Sequence, residues 1–140
     1  MKKESAYCQV CDKDVDFTLK ETTREGTIRG VTFTYTFFEA YCINCGERVF
    51  PRSINRTNWI SELNEYKKCV GLLTSDEITN IRKKLALTQE GLAKLMGCGL
   101  KTITRYENGA IQDRVFDNFI RCLELMYDRK VSYKQVLKFQ

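Results

Sequence analysis

No histidine occurs anywhere in the 140 residues. That absence excludes a Ser-His-Asp triad, a histidine general base and any imidazole metal ligand. No glycine-rich phosphate loop and no cluster of carboxylates takes their place, so an enzyme is not expected. Long apolar runs are missing too: nothing approaches the roughly 18 residues of a membrane-spanning helix, and no membrane partner is expected. The opening residues, MKKESAYCQVC, carry lysines without the apolar stretch of a secretion signal, which makes the cytoplasm the expected location. Proline appears once, at Pro51, and the chain has no internal repeat or low-complexity tract.

What is present is the balance of a folded globular protein, with 43% hydrophobic and 29% charged residues. The length suits one ordinary domain or two small ones. Lysine and arginine number 23 against 18 acidic residues, for a net charge of +5. This surplus suits a polyanionic partner without identifying one. It is unevenly spread: residues 1–68 are net +1 and residues 69–140 net +4.

The local pattern changes near residue 52. Before it the chain has strand character. Val15 to Glu21 alternates apolar and polar residues, Gly26 and Gly30 follow, and Val31 to Tyr41 is rich in β-branched and aromatic side chains. Val31, Phe33, Tyr35 and Phe37 then share one strand face. After Pro51 the pattern is helical. Trp59, Leu63 and Tyr66 are spaced for one face of a short helix leading to Gly71, and Thr74 and Glu77 have capping-box spacing for the next. Further helices are expected at Gln89–Met96, Leu100–Asn108, Asp113–Tyr127 and Ser132–Lys138. The expected fold class is therefore α+β: a small β-rich module over 1–54, a connecting helix over 55–73 and an all-α domain over 74–140.

Seven cysteines, an odd count without a secretion signal, argue against a disulfide framework. Four form two C-x-x-C pairs, Cys8/Cys11 and Cys42/Cys45, separated by 30 residues of strand character. Each pair lets two sulfurs reach one ion from a single turn, and two such turns complete a tetrahedron of thiolates. Gly46 follows the second pair, where a tight knuckle can aim backbone N–H groups at the sulfurs. All four positions come from protein, the arrangement of a structural Zn2+ site. A rubredoxin-like iron site has the same ligand set. Redox dithiol chemistry is disfavoured because neither pair opens a helix that would lower a thiol pKa. Cys69, Cys98 and Cys122 stand alone and suit small apolar positions.

Gln89 to Asn108, QEGLAKLMGCGLKTITRYEN, fits two short helices that cross closely. Thr88 can cap the first helix, Ala93 is small at the crossing, and Gly97 sits in the turn. Leu92, Met96, Cys98, Ile103 and Tyr106 are apolar at inward positions, whereas Gln89, Lys94, Lys101, Thr102 and Arg105 are polar and outward. In a helix-turn-helix the second helix lies in the major groove with its N-terminal residues at base edges, which assigns Lys101, Thr102 and Arg105 to duplex DNA. Arginine can address guanine O6 and N7 together. Gln89 is placed to donate to a phosphate and set register. Lys83, Lys84 and Arg114 are further candidates for phosphate contact, while Glu107 suits a local ion pair or cap. Asp113–Tyr127 is apolar on more than one side, through Phe116, Phe119, Ile120, Leu123, Leu125 and Met126, and its surplus suits either a two-fold mate or Ser132–Lys138. A dimer would set two reading helices about 34–36 Å apart.

The stretch IRKKLALTQEGLAKLMGCGLKTITRYENG resembles the Xre/Cro-type repressor domains. Together with the C-x-x-C…C-x-x-C module in front, it resembles the MqsA-type (YgiT-type) antitoxins over nearly the whole chain. That resemblance implies zinc on Cys8, Cys11, Cys42 and Cys45, a front module that grips a cognate toxin protein, and a C-terminal domain that forms a homodimer and represses its own operon at an operator palindrome. It implies Lys101 and Arg105 as the base-reading pair. Two other readings share these features: a stand-alone zinc-containing Xre-type regulator without a toxin, and an iron electron-transfer protein whose helical part only docks.

Overall fold

A computed structural model describes residues 4–131. The chain divides into two compact units, Met1–Tyr66 and Lys67–Gln140. Among the described residues, antiparallel strands precede five helices, so the α+β layout holds.

In the first unit, β1 (Ala6–Cys8) pairs with β2 (Lys13–Val15). β3 (Phe17–Ile28) and β4 (Val31–Cys42) form a long antiparallel hairpin in unbroken register from Phe17↔Cys42 to Ile28↔Val31. A two-residue turn at Arg29-Gly30, with positive φ at both, joins them in the way the strand twist favours. Gly26 lies inside β3. A Cβ there would stand 3.1 Å from the Phe33 ring, so the missing side chain makes room for Phe33 to lie across the strand. The expected face is present: Phe33, Tyr35 and Phe37 follow one another at ring separations of 6.1 and 6.3 Å, and Arg24 stacks 3.4 Å over Phe37.

β5 (Arg48–Val49) continues the sheet beyond β4 only at Ala40 and Tyr41. The rest of that β4 edge is covered by α1 (Arg52–Val70), which begins directly after Pro51 and is 19 residues long rather than short. The Asn58 amide accepts from the Phe38 N–H at 2.8 Å and donates to the Phe38 carbonyl at 2.9 Å, doing the work of a neighbouring strand. Ser61 donates to the Thr36 carbonyl. This need for polar caps explains why Asn58 is buried and its neighbour Trp59 is turned outward at 49% exposure, against the apolar face expected of Trp59, Leu63 and Tyr66. Tyr66 is buried, with its ring 6.4 Å from Phe33.

The second unit contains α2 (Ser75–Lys84), α3 (Gln89–Met96), α4 (Leu100–Glu107) and α5 (Arg114–Asp128). The capping box is present: the Glu77 N–H donates to Thr74 Oγ1 and the Thr74 N–H to Glu77 Oε1. Ile78, Leu92, Ile103 and Ile120 are fully buried at the centre, where Tyr106 packs edge-on to Phe116 at 4.7 Å. Within this unit, residues 70–73 are tied to α5 and Gln112. Arg114 and Arg121 donate to the orphan carbonyls of Val70 and Gly71, Asp117 accepts from the Leu73 N–H, and Gln112 donates to the Leu73 carbonyl. The helix expected at Ser132–Lys138 lies outside the described residues.

Candidate metal centre and nucleic-acid interface

The four paired cysteines come together at the ends of strands. Cys8 closes β1 and Cys42 closes β4, and each chain segment then doubles back: the Asp12 N–H returns to the Cys8 carbonyl and the Gly46 N–H to the Cys42 carbonyl. Gly46 therefore tightens its knuckle through an oxygen, and the N–H groups that reach sulfur include those of Cys11 to Cys8 Sγ at 3.5 Å and Asn44 to Cys42 Sγ at 3.4 Å. The four sulfurs all lie within 4.8 Å of one another. Cys8 and Cys45 are 3.4 Å apart and Cys11 and Cys42 3.9 Å, far beyond a disulfide bond. A tetrahedron with Zn–S bonds of about 2.3 Å has sulfur–sulfur edges of about 3.8 Å, so the cluster has the size that such an ion requires.

Electrostatics points the same way. The Cys45 backbone N–H, against burial, holds the Cys42 thiol down at about 7, whereas burial followed by the neighbouring sulfurs pushes Cys11 up to about 12. The Cys42 proton leaves readily, whereas burial and the neighbouring sulfurs hold the Cys11 proton, a cost that a dication relieves. Four cysteines therefore can hold a metal ion.

In the second unit α3 and α4 meet through a tight turn. Thr88 caps α3 by accepting from the Gly91 N–H at 2.9 Å. Gly97 ends it with φ 74, a left-handed conformation that costs a side-chain-bearing residue about 1–2 kcal/mol. Ala93 is buried at the crossing, Leu92, Ile103 and Tyr106 face inward, and Met96 and Cys98 are half-buried against the same core.

On the opposite side of α4, Lys101 and Arg105 are exposed one turn apart, and neither side chain is engaged in an ion pair or hydrogen bond among the described residues. Thr102 is half-buried between them. Gln89 is placed differently from the outward position expected. Its carbonyl accepts from Thr104 Oγ1 at 3.0 Å and its amide donates to Glu107 at 3.3 Å. The reason is Glu107, whose side chain is only 5% exposed and must be surrounded by donors. Arg82 supplies two, Nε at 2.8 Å and Nη2 at 3.0 Å, and Thr79 a third. Burial alone would raise the Glu107 carboxyl; Arg82, Gln89 and Thr79 bring it below its ordinary value.

Of the further phosphate candidates, Lys84 is paired with Asp128 at 2.6 Å and Arg114 is spent on the Val70 carbonyl, while Lys83 stays exposed. Sequence reading placed Glu107 in a local pair but missed Arg82, Thr79 and Thr104. Arg82 and Glu107 are 25 positions apart, and no local spacing announces such a pair.

Residues 5–131 match the family described as the antitoxin component of a bacterial toxin-antitoxin system, MqsA. Antitoxin MqsA of Escherichia coli (strain K12) is 25% identical over 115 residues, spanning 75% of this chain and 81% of that protein.

Proposed function

The chain belongs to the MqsA antitoxin family, and from that premise we propose that it is a sequence-specific DNA-binding repressor and the antitoxin of a type II toxin–antitoxin pair. The observation that carries the DNA half is α4 itself: one face is buried to the level of Ile103 at 0% exposure, and the other presents Lys101 and Arg105 without internal partners. Lys101 and Arg105 read base edges, Thr102 contributes from the same helix, and Gln89 sets register at the start of α3 while bracing Thr104. The working protein is a homodimer on an operator palindrome. Val115 and Leu125, at 78% and 51% exposure on one side of α5, are the apolar side chains that support a two-fold mate.

The metal of the front module is zinc, held by Cys8, Cys11, Cys42 and Cys45, whose role is structural. Residues 1–54 carry toxin capture, 55–73 connect, and 74–140 bind DNA. The free edge of β3 supports the first assignment, because twelve residues of strand have no partner on that side among the described residues, and such edges accept an incoming strand. None of the described helices is long and apolar enough to cross a membrane, in keeping with a cytoplasmic repressor.

The test is a gel shift on duplexes selected from a random pool by the unaltered protein. Arg105→Ala and Lys101→Ala should each cut discrimination against scrambled duplex by about 1–3 kcal/mol, roughly 5- to 150-fold. Metal content and helix content should stay unchanged. Undiminished discrimination in both variants would remove α4 as the reading helix. Metal analysis of the purified chain separates zinc from iron, and co-purification from the native cell identifies the small protein that travels with it.

A further inference from the structure

Exposure is unequal among the four clustered sulfurs. Cys8 and Cys42 are 1% and 3% exposed and Cys11 is half-buried, whereas Cys45 is open to solvent. The exposed member is also close to the most buried one: Cys45 and Cys8 stand 3.4 Å apart, nearer than the 3.9 Å between Cys11 and Cys42. A metal-bound thiol is a thiolate at neutral pH, and thiolate character, solvent access and a neighbouring thiol are what peroxide-sensing cysteines share.

We propose that the sulfur cluster is a peroxide-sensitive release device, in which Cys45 is oxidised first and Cys8 resolves it. This rests on the zinc reading given above. The Cys45 thiolate attacks one oxygen of a hydroperoxide. The O–O bond breaks, that oxygen stays on sulfur as a sulfenic acid, and hydroxide leaves when the oxidant is hydrogen peroxide. The Cys8 thiolate then attacks the Cys45 sulfur, the S–S bond forms, the S–O bond breaks and a second hydroxide departs. Two thiolates have given two electrons to one peroxide.

The two sulfurs approach by about 1.4 Å to reach disulfide length. Two of the four donors are then consumed, and the two that remain cannot close a tetrahedral site. Among the described residues the buried cluster around them holds Ala6, Val15, Ala40 and Val49 besides Cys8 and Cys42, with Phe17 packed against it, so release of the ion leaves the strand module with little to hold it. Oxidant is thereby converted into loss of the module assigned to toxin capture.

Cys69 and Cys122 are also exposed and would consume peroxide without this consequence. The test therefore uses the full zinc-loaded chain carrying Cys69→Ser and Cys122→Ser. Hydrogen peroxide is added, zinc is followed with a chromogenic chelator, thiols are counted and disulfides are mapped by peptide mass. Release of one zinc for two thiols lost, with the first disulfide joining Cys8 to Cys45, is the expected result. A first disulfide inside either C-x-x-C pair, or thiol loss with zinc retained, overturns it.

Two ligand exchanges sharpen the reading, since histidine can stand as the fourth ligand of a three-cysteine zinc site. Cys45→His should release on the order of tenfold or more slowly than Cys11→His, which has the same ligand types but keeps the reacting pair. Equal rates in the two overturn the proposal; if either variant fails to take up zinc, the disulfide map of the parent decides. A purified chain without zinc would defeat the metal assignment and this inference with it, whereas a zinc-loaded chain indifferent to peroxide defeats only this inference.

Discussion

The two units of this chain solve the same problem with different materials. The buried cluster near the sulfurs has six members, two of them cysteines and none larger than valine. Among the described residues, the cluster of the helical unit has twelve, including Ile78, Leu92, Ile103 and Ile120 at full burial. At roughly 1.5–3 kcal/mol for each large aliphatic side chain removed from water, the second cluster gains far more from packing than the first does, even with Phe33 resting on Tyr66. A metal site is what allows so few apolar residues to hold five strand segments, and the helices need no such aid.

The largest effect that could break this comparison is removal of the ion. A chelator in excess should take away on the order of ten kcal/mol of folding free energy from the strand unit. Backbone amides of β1, β2 and β5 should lose protection from hydrogen exchange while those of α2–α5 keep theirs. Simultaneous loss in both would show that the helical unit also depends on the metal, and the contrast drawn from the two cores would be wrong.

The converse test breaks the helical unit and spares the strands. Arg82→Ala leaves Glu107 buried and short of two of its donors, a change that costs about 3–5 kcal/mol in comparable buried pairs. Thermal unfolding followed by far-UV circular dichroism should shift strongly downward, with zinc content unchanged. The pH dependence has a definite sign. Because the folded Glu107 carboxyl lies below its ordinary 4.5, the stability it contributes is complete above that pH and is lost as pH falls through the lower folded value. Acid titration of the helical unit should therefore be steeper in the parent than in Arg82→Ala. An acid response of the same slope in both would assign the sensitivity to another carboxylate, with Asp117 the next to examine.

What the sequence made legible in each unit follows from how far apart the interacting residues are. The C-x-x-C pairs, the Thr74/Glu77 box and the turn at Gly97 are local devices with fixed spacing, and each is where pattern reading put it. The alternation Phe33-Tyr35-Phe37 likewise needs only strand periodicity. The rest depends on partners distant in the chain. Asn58 in the middle of α1 carries no signal that it will serve the Phe38 backbone twenty positions earlier, so Trp59 looked like the buried residue. Gly26 carries no sign of its role until the Phe33 ring across the hairpin is known. Gln89 was expected to point outward because nothing near it in sequence reveals the buried Glu107 that recruits it.

The smallest effect tests whether local devices matter in the unit that packing already holds. Thr74 is 7% exposed, and its hydroxyl accepts the Glu77 N–H that α2 leaves without a helical partner. Thr74→Ala removes that acceptor and should cost about 1 kcal/mol, lowering the melting temperature of the helical unit by about 4–8 °C. Thr74→Ser keeps an oxygen in place and should recover most of the loss, whereas a loss of pure packing would not be recovered by a smaller side chain. Neither variant should change how tightly zinc is held. Weakened zinc retention in Thr74→Ala would mean that the helical unit's stability reaches the sulfur cluster, and the two halves would then have to be treated as one cooperative structure.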